Sequence, residues 1–178
     1  PYIGGGFGNK QDVLYEPLNA WITTQVGGRK VKLGLTREET FQNTRSRHAI
    51  HFDVTAAVGP STMRLMARTC RAVSNQGGYA SHGHSIVANA VTGFRQTYPD
   101  ALAHRSDAYT VYTNLGSTGA MRGYGIPQCN FAGECFMDDI AREMGWDPLD
   151  FRLKNIMPLG YVDPTNGITC HSTGLAEC

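Results

Sequence analysis

Two glycine-rich segments are the parts of this 178-residue sequence whose composition could support chemistry. The first, residues 4–10, reads Gly-Gly-Gly-Phe-Gly-Asn-Lys, and the second, residues 119–128, reads Gly-Ala-Met-Arg-Gly-Tyr-Gly-Ile-Pro-Gln. Each leads into a helical pattern, so each would offer unhindered backbone N–H groups beside the positive end of a helix. This arrangement predicts a cradle for an anion or a polar cofactor. A tight turn is the alternative, but three consecutive glycines and a fourth are entropically costly for a turn alone.

Two common nucleotide-binding motifs do not fit the first segment. A Walker A loop needs a Ser or Thr after its lysine, and here Gln11 follows Lys10 at the wrong glycine spacing. A Rossmann fingerprint is weak because Phe7 interrupts the G-x-G-x-x-G register and no acidic partner for a ribose is evident. A phosphate-binding enzyme built on this loop is therefore disfavoured.

The second segment carries two side chains suited to a planar ligand. Arg122 stands between small residues and could expose both its guanidinium and its backbone N–H. Tyr124 lies between Gly123 and Gly125 and could present a flat ring. The alternatives are a surface salt bridge for Arg122 and a core aromatic for Tyr124.

Other polar clusters give weaker signals. His82 and His84 lie two positions apart in a polar stretch without a third metal ligand, so we expect them to be solvated or to support neighbouring groups. Glu38 and Glu39 are adjacent and do not face each other on a helical turn, so capping and a salt bridge are expected. The five cysteines are odd in number and form no CxxC pair, which predicts reduced thiols, mostly buried, without a zinc site.

Hydrophobic periodicity predicts the elements that carry these segments. A strand end at residue 3 runs into the first glycine segment, and a helix follows from Asp12, its N-cap or first-turn acid, to Val26. Residues 74–85 are predicted as loop, and Gly145 ends the helix that follows Pro127. The predicted strands cover residues 30–35, 49–58, 63–73 and 107–113, and a last short helix covers residues 148–155. The fold class is α+β, with a mixed or mostly antiparallel sheet and helices that follow glycine-rich loops.

Composition limits the class of protein. Apolar residues make up 41% of the chain, which is enough for a core and too much for a disordered tail. The 16 Lys and Arg nearly balance the 15 Asp and Glu, which argues against a nucleic-acid partner. No apolar run is long enough to span a bilayer, and no signal peptide is evident, so we expect a cytoplasmic protein. Residues 1–178 are predicted to form a single, partial domain of a longer polypeptide.

Together, the two glycine segments resemble those of the molybdenum subunit of the xanthine dehydrogenase/aldehyde oxidase family, where the usual forms are GGGFGGK and GAFRGFGxPQ. The resemblance continues in the same order over nearly the whole chain. It includes residues 37–41, 47–48, 74–79, 112–114 and 148–155. Residues 9–12 and 81–86 are most similar to the bacterial multi-subunit xanthine and nicotinate dehydrogenase branch.

The resemblance implies a molybdenum cofactor and a set of partners. The metal would be held by a pyranopterin, possibly as its cytosine dinucleotide, and by no protein side chain. The reaction implied is hydroxylation of an electron-poor sp² carbon of an N-heteroaromatic substrate, purine-like or nicotinate-like, with oxygen from water. Electrons would leave through 2Fe-2S clusters to FAD on partner subunits, and the rest of the molybdenum subunit would complete the site.

The resemblance also assigns residues. Gly5, Gly6, Phe7 and Gly8 would bind the cofactor from the first segment, with Phe7 over the molybdenum. Met121 and Arg122 would approach from the second segment, so that the backbone of Phe7 and that of Arg122 both lie near the metal. This interpretation requires the two segments to lie together in the fold.

Three positions match the family's substrate contacts. Tyr124 matches a Phe that stacks on the heteroaromatic ring. Gln11 stands where a Glu binds purine, and Asn89 stands where an Arg polarises the purine oxygen. An amide at both positions weakens the case for xanthine, since neither can supply the charge of the residue it replaces. The family's general-base Glu has no match in the chain, so we expect the isolated chain to be inactive. A non-catalytic assembly fragment that retains the fold is the alternative.

Overall fold

A mixed three-stranded sheet is the centre of the fold in the computed structural model, which describes residues 2–178. Strand β1 (Ile50–Gly59) pairs antiparallel with β2 (Arg64–Gly77), and strand β3 (Ala103–Tyr112) pairs in parallel with the other edge of β2. The order in the sheet is therefore β1-β2-β3. Side chains of β1 alternate between half-buried and exposed, because one face of the sheet is covered and the other is open.

Helices cover one face of this sheet and flank the glycine segments. The α-helices of the described residues are α1 (Glu16–Gln25), α2 (Arg37–Asn43), α3 (Gly83–Thr97), α4 (Ile126–Met144) and α5 (Pro148–Asn155). Helix α3 is the crossover that a parallel pair of strands requires, and it packs against β2, β3 and α4. No helix within residues 2–178 is both long and apolar enough to cross a bilayer.

The core forms where α3 lies between the sheet and α4. Its main cluster consists of Cys70, Ala72, Val87, Ala90, Val91, Phe94 and Cys129. A second cluster, at the far end of β2, consists of Leu65, Tyr98, Met137, Ala141 and Phe151. The first cluster packs α3 against α4, and the second packs α4 and α5 against β2. Helices α3 and α4 begin next to the polar residues described below.

A buried ion pair fastens β2 to the segment after α3. The side chains of Arg68 and Asp100 are both 2% exposed, and their atoms Nε and Oδ1 are 2.8 Å apart. Arg68 also donates to the carbonyl oxygens of Phe94 and Tyr98. Burial alone would raise the pKa of Asp100, but hydrogen bonds to His104 and Arg68 outweigh it, so the pKa of Asp100 is lowered.

The cysteines are all free. Cys70 and Cys129 lie in the core, where burial raises the pKa of the Cys70 thiol to about 11 and that of Cys129 to about 12. Both are therefore protonated at neutral pH and pack as small apolar groups. The prediction that most of the cysteines are buried is wrong, because Cys135 and Cys178 are exposed and Cys170 is half-buried.

The predicted fold class is confirmed, since the sheet is mixed and helical turns follow both glycine segments. The two strands predicted over residues 49–58 and 63–73 do form a hairpin. The helix after Pro127 ends as predicted, at Gly145, whose φ of 67° lies in the left-handed region.

Several predicted elements are wrong. Residues 30–35 alternate like a strand but form none, because they pair with no strand among the described residues. No strand precedes the first glycine segment in residues 2–178, and α1 begins at Glu16, so Asp12 does not cap it. The predicted loop over residues 74–85 was too long, since β2 continues to Gly77 and α3 begins at Gly83.

Candidate functional site

The first glycine segment forms an exposed, strained bend. Phe7 adopts a φ of 53°, unusual for a residue with a side chain, and Gly8 follows with a φ of 98°. A single 3₁₀ turn over Asn9–Gln11 comes next. The ammonium of Lys10 donates to the carbonyl oxygen of Gly5 at 2.8 Å and closes the bend on itself. The ring of Phe7 remains 64% exposed.

The second glycine segment is a bend of the same kind. Tyr124 has a φ of 49°, between Gly123 at 92° and Gly125 at 100°. Gly125 precedes α4 and passes so close to α3 that an added Cβ would lie 2.4 Å from the carbonyl oxygen of Ile86. Only glycine fits there, and the contact fixes the bend against the core. Strained residues with side chains concentrate at functional sites, and two such residues mark these bends.

The two bends touch each other. A Cβ added to Gly8 would lie 2.4 Å from the carbonyl oxygen of Ala120 and 2.8 Å from the amide nitrogen of Met121. The guanidinium of Arg122 lies over the ring of Phe7, with its carbon 5.8 Å from the ring centroid. The structure thus meets the requirement that the two segments form one surface.

Several backbone N–H groups of the surface formed by the two bends have no backbone acceptor in the part of the chain that the structure describes. The N–H groups of Gly6, Phe7 and Gly8 donate to no other backbone group of residues 2–178, and neither do those of Met121 and Arg122. Donors left free on an exposed, strained backbone suit an anionic or oxygen-rich ligand. The residues present therefore fit a bulky polar cofactor that is held mainly by main-chain groups.

Arg47 anchors the second bend from outside the glycine segments. Its Nη2 donates to the carbonyl oxygen of Arg122 at 2.6 Å, and its Nη1 donates to Oε1 of Gln128 at 3.4 Å. Gln128 in turn donates to the carbonyl oxygen of His48 at 2.9 Å. The ring of His48 is buried, and burial lowers its pKa, so the imidazole is neutral.

Asp12 joins the first bend to the start of α3. Its carboxylate accepts from Nε of Arg45 at 3.1 Å and from Oγ of Ser81 at 3.2 Å, and it faces Nε2 of His82 at 3.9 Å. The expected capping role of Asp12 is replaced by this tertiary role, because α1 starts four positions later, at Glu16.

The structure brings Asn89 and Tyr124 together. Nδ2 of Asn89 donates to the carbonyl oxygen of Tyr124 at 2.7 Å, so this amide supports the bend. The ring of Tyr124 is half-buried, and its hydroxyl lies 2.9 Å from Nδ1 of His82. Gln11 is exposed at the end of the 3₁₀ turn. Contact of these side chains with a substrate stays a prediction.

His82 lies at this site, where its partner Tyr124 was not predicted from the sequence. Its side chain was expected to be solvated or to support a neighbour, and the structure shows the second arrangement. His84 is exposed. The apolar spacing of Ile86, Ala90 and Phe94 could have revealed α3, and with it the position of His82 at the helix start.

Side chains that could bind a metal do not gather at this surface. Among residues 2–178, no group of three or more His, Cys, Asp or Glu side chains could hold a metal ion. A cavity of about 450 Å³ lies elsewhere, between β1 and α4, and its lining includes Val58 and Phe136 but no residue of either glycine segment. The candidate site is thus an open, main-chain surface.

Comparison with known proteins shows the family to which the chain belongs. A family model for the molybdopterin cofactor-binding domain matches residues 1–156. The putative xanthine dehydrogenase molybdenum-binding subunit XdhA of Escherichia coli (strain K12) is 46% identical over 178 residues, which are 100% of this chain and 23% of that protein. The nicotinate dehydrogenase large molybdopterin subunit of Eubacterium barkeri is 32% identical over 176 residues, or 98% of this chain and 40% of that protein.

A solved structure agrees with these relatives. The aldehyde oxidoreductase of Desulfovibrio gigas superposes with a TM-score of 0.82 at 30% identity, covering 98% of this chain and 19% of that chain. The chain therefore spans less than half the length of each of these relatives. Since the family model covers most of the sequence and the fold agrees, the chain belongs to the molybdopterin cofactor-binding domains of the xanthine dehydrogenase and aldehyde oxidoreductase family.

Proposed function

We propose that this chain is the first cofactor-binding lobe of a molybdenum hydroxylase that oxidises an N-heteroaromatic substrate. The observation that carries the proposal is the contact between the two bends, where Gly8 meets Ala120 and the neighbouring N–H groups are free. The molybdopterin, when bound, supplies the two-electron redox chemistry and the insertion of oxygen from water.

The chain's own part is to hold and orient that group. Gly5 and Gly6 would bind the cofactor through the backbone, and Gly5 also makes room for the ring of Phe7, which an added Cβ would meet at 2.5 Å. Gly8 keeps the two bends in contact. The backbones of Phe7, Met121 and Arg122 would then donate toward the cofactor, and those of Phe7 and Arg122 would lie near the molybdenum. The exposed ring of Phe7 and the guanidinium above it would shield the bound cofactor from water.

Substrate recognition is assigned to three side chains around the second bend. Tyr124 offers its ring for stacking against a planar heterocycle. Gln11 and Asn89 offer neutral amides, which donate and accept hydrogen bonds but carry no charge. These groups suit a ring nitrogen or carbonyl group, and they suit nicotinate or a differently oriented purine at least as well as xanthine.

We assign the remaining parts of the enzyme to the rest of the molybdenum subunit and to partner subunits. The open surface of the site calls for a second lobe, and the chain covers only 23% of the XdhA sequence. We assign the general-base Glu to that remainder, the 2Fe-2S clusters and FAD to partner subunits, and the complex to the cytoplasm. The relatives named as subunits of xanthine and nicotinate dehydrogenases support this assignment. A cytosine dinucleotide form of the pterin is part of the proposal.

The test is cofactor analysis of the complex purified through this chain. We expect about one molybdenum and one pterin per polypeptide, and oxidation of xanthine or nicotinate with ¹⁸O taken from labelled water. Absence of both molybdenum and pterin from a folded complex would favour an assembly fragment instead. If the complex binds the cofactor but oxidises no N-heterocycle, the assignment of the chain as a cofactor-binding lobe would stand and the proposed substrate class would be overturned.

A further inference from the structure

We propose that His82 is a positioning residue that holds the ring of Tyr124 in the orientation needed to bind substrate. The inference rests on the proposed function, because it takes Tyr124 as the aromatic contact of the substrate. It adds a residue that lies outside both glycine segments and touches neither of their backbones in a hydrogen bond.

The ring of Tyr124 has few other restraints. Gly123 and Gly125 flank it in sequence and supply no side chain to pack against it. Its backbone is held, since its N–H donates to the carbonyl oxygen of Met121 at 2.8 Å and its own carbonyl accepts from Asn89 at 2.7 Å. Within the described residues, the phenol hydroxyl hydrogen-bonds only to Nδ1 of His82, at 2.9 Å.

The contact between the two rings is also directional. Their centroids are 5.9 Å apart and their planes meet at 72°, so the edge of one ring points at the face of the other. A hydrogen bond and an edge-to-face contact together fix both the tilt of the Tyr124 ring and the position of its hydroxyl.

His82 is itself well anchored. It precedes the first turn of α3, a helix that packs against the sheet and α4. Its Nε2 faces the carboxylate of Asp12 at 3.9 Å, and that carboxylate is fixed by Arg45 at 3.1 Å and Ser81 at 3.2 Å. The anchoring therefore runs from Asp12, just after the first bend, through His82 to Tyr124 in the second.

The charge of Asp12 favours one direction of the hydrogen bond between His82 and Tyr124. A carboxylate near Nε2 favours the tautomer that carries its hydrogen there, which leaves Nδ1 as an acceptor. The phenol of Tyr124 then donates to His82, and the lone pairs of its oxygen stay available to the substrate side.

The experiment uses the full molybdenum complex with His82→Phe, which keeps an aromatic ring but removes the hydrogen bond. The probe of ring orientation is ¹⁹F NMR of 3-fluorotyrosine placed at position 124, a readout that does not depend on turnover. We expect one narrow resonance in the parent protein and a shifted or divided resonance in His82→Phe. The matched control is His84→Phe, because His84 is exposed two positions away, and it should leave the resonance unchanged.

Kinetics with whichever of xanthine and nicotinate the parent complex oxidises then test the consequence for binding. Loss of one hydrogen bond should raise KM about three- to tenfold, with kcat changed by less than about twofold. Tyr124→Phe should have a similar effect, and the double variant should be no worse than either single variant. An unchanged ¹⁹F resonance, an unchanged KM, or additive effects in the double variant would each overturn the proposal. If the parent complex oxidises neither xanthine nor nicotinate, the proposed substrate class fails, and the ¹⁹F resonance alone decides the role of His82.

Discussion

The contact between Gly8 and Ala120 predicts that one methyl group added at position 8 greatly weakens cofactor binding. In Gly8→Ala the new Cβ would lie 2.4 Å from the carbonyl oxygen and 2.5 Å from the carbonyl carbon of Ala120. An ordinary contact of this kind is near 3.4 Å or more, so the two bends must separate by about 1 Å. A displacement of that size at a site built for close approach can lower function by about 100-fold.

The control for this substitution separates crowding from backbone strain. Gly28 also has a positive φ, of 77°, but an added Cβ there would meet nothing within 4 Å. Gly28→Ala should therefore lower the free energy of unfolding only by the strain of holding alanine in the left-handed conformation, about 1–2 kcal/mol. Gly8→Ala should add the clash to a comparable backbone strain, because its φ is 98°.

Molybdenum per polypeptide and the melting temperature of the full complex are the measurements. We expect Gly28→Ala to retain its molybdenum while its melting temperature falls by a few degrees. Gly8→Ala should lose more than about nine-tenths of its molybdenum. Full molybdenum content in Gly8→Ala, or an equal loss in both variants, would refute the argument that close backbone approach holds the cofactor.

The other predictions concern stability, substrate binding and completeness of the site. Asp100→Asn leaves the buried guanidinium of Arg68 without its counter-charge and should lower the free energy of unfolding by about 3–5 kcal/mol, as measured by denaturant titration. The control is Asp107→Asn, at an exposed ion pair, which should lower it by less than about 1 kcal/mol. Because the pKa of Asp100 is lowered in the folded state, the ionised carboxylate stabilises the fold above the ordinary value of 3.8, and this stabilisation is lost as the pH falls through the folded pKa. In Asp100→Asn, the part of the acid-induced loss of stability that comes from Asp100 should disappear from the acid unfolding curve. An acid unfolding curve of the same shape in both proteins would contradict this prediction. Tyr124→Ala should raise the substrate KM about tenfold with little loss of melting temperature, and the reverse pattern would make the ring a core residue only. The isolated chain, residues 1–178, should show no hydroxylase turnover, and measurable turnover would contradict the assignment of the general base to another segment.

Local patterns in the sequence were sufficient for much of the fold. The alternation over residues 49–58 and 63–73 predicted two strands, because each strand has one buried and one exposed face. The structure shows that they form a hairpin. The spacing of apolar residues and the final Gly145 predicted α4. Residues 30–35 show where such patterns fail, since alternation makes a strand only where a neighbour can accept its hydrogen bonds.

What the sequence alone determined was the identity of the two glycine bends and, through them, the family. Their chemistry depends on the absence of side chains, a property that is visible residue by residue. The tertiary structure decided which groups meet: Gly8 against Ala120, Asp12 with Arg45, and the hydroxyl of Tyr124 with His82, 42 positions earlier in the chain. Such contacts depend on how α3 packs between the sheet and α4, and no local pattern encodes a distance between residues so far apart in sequence.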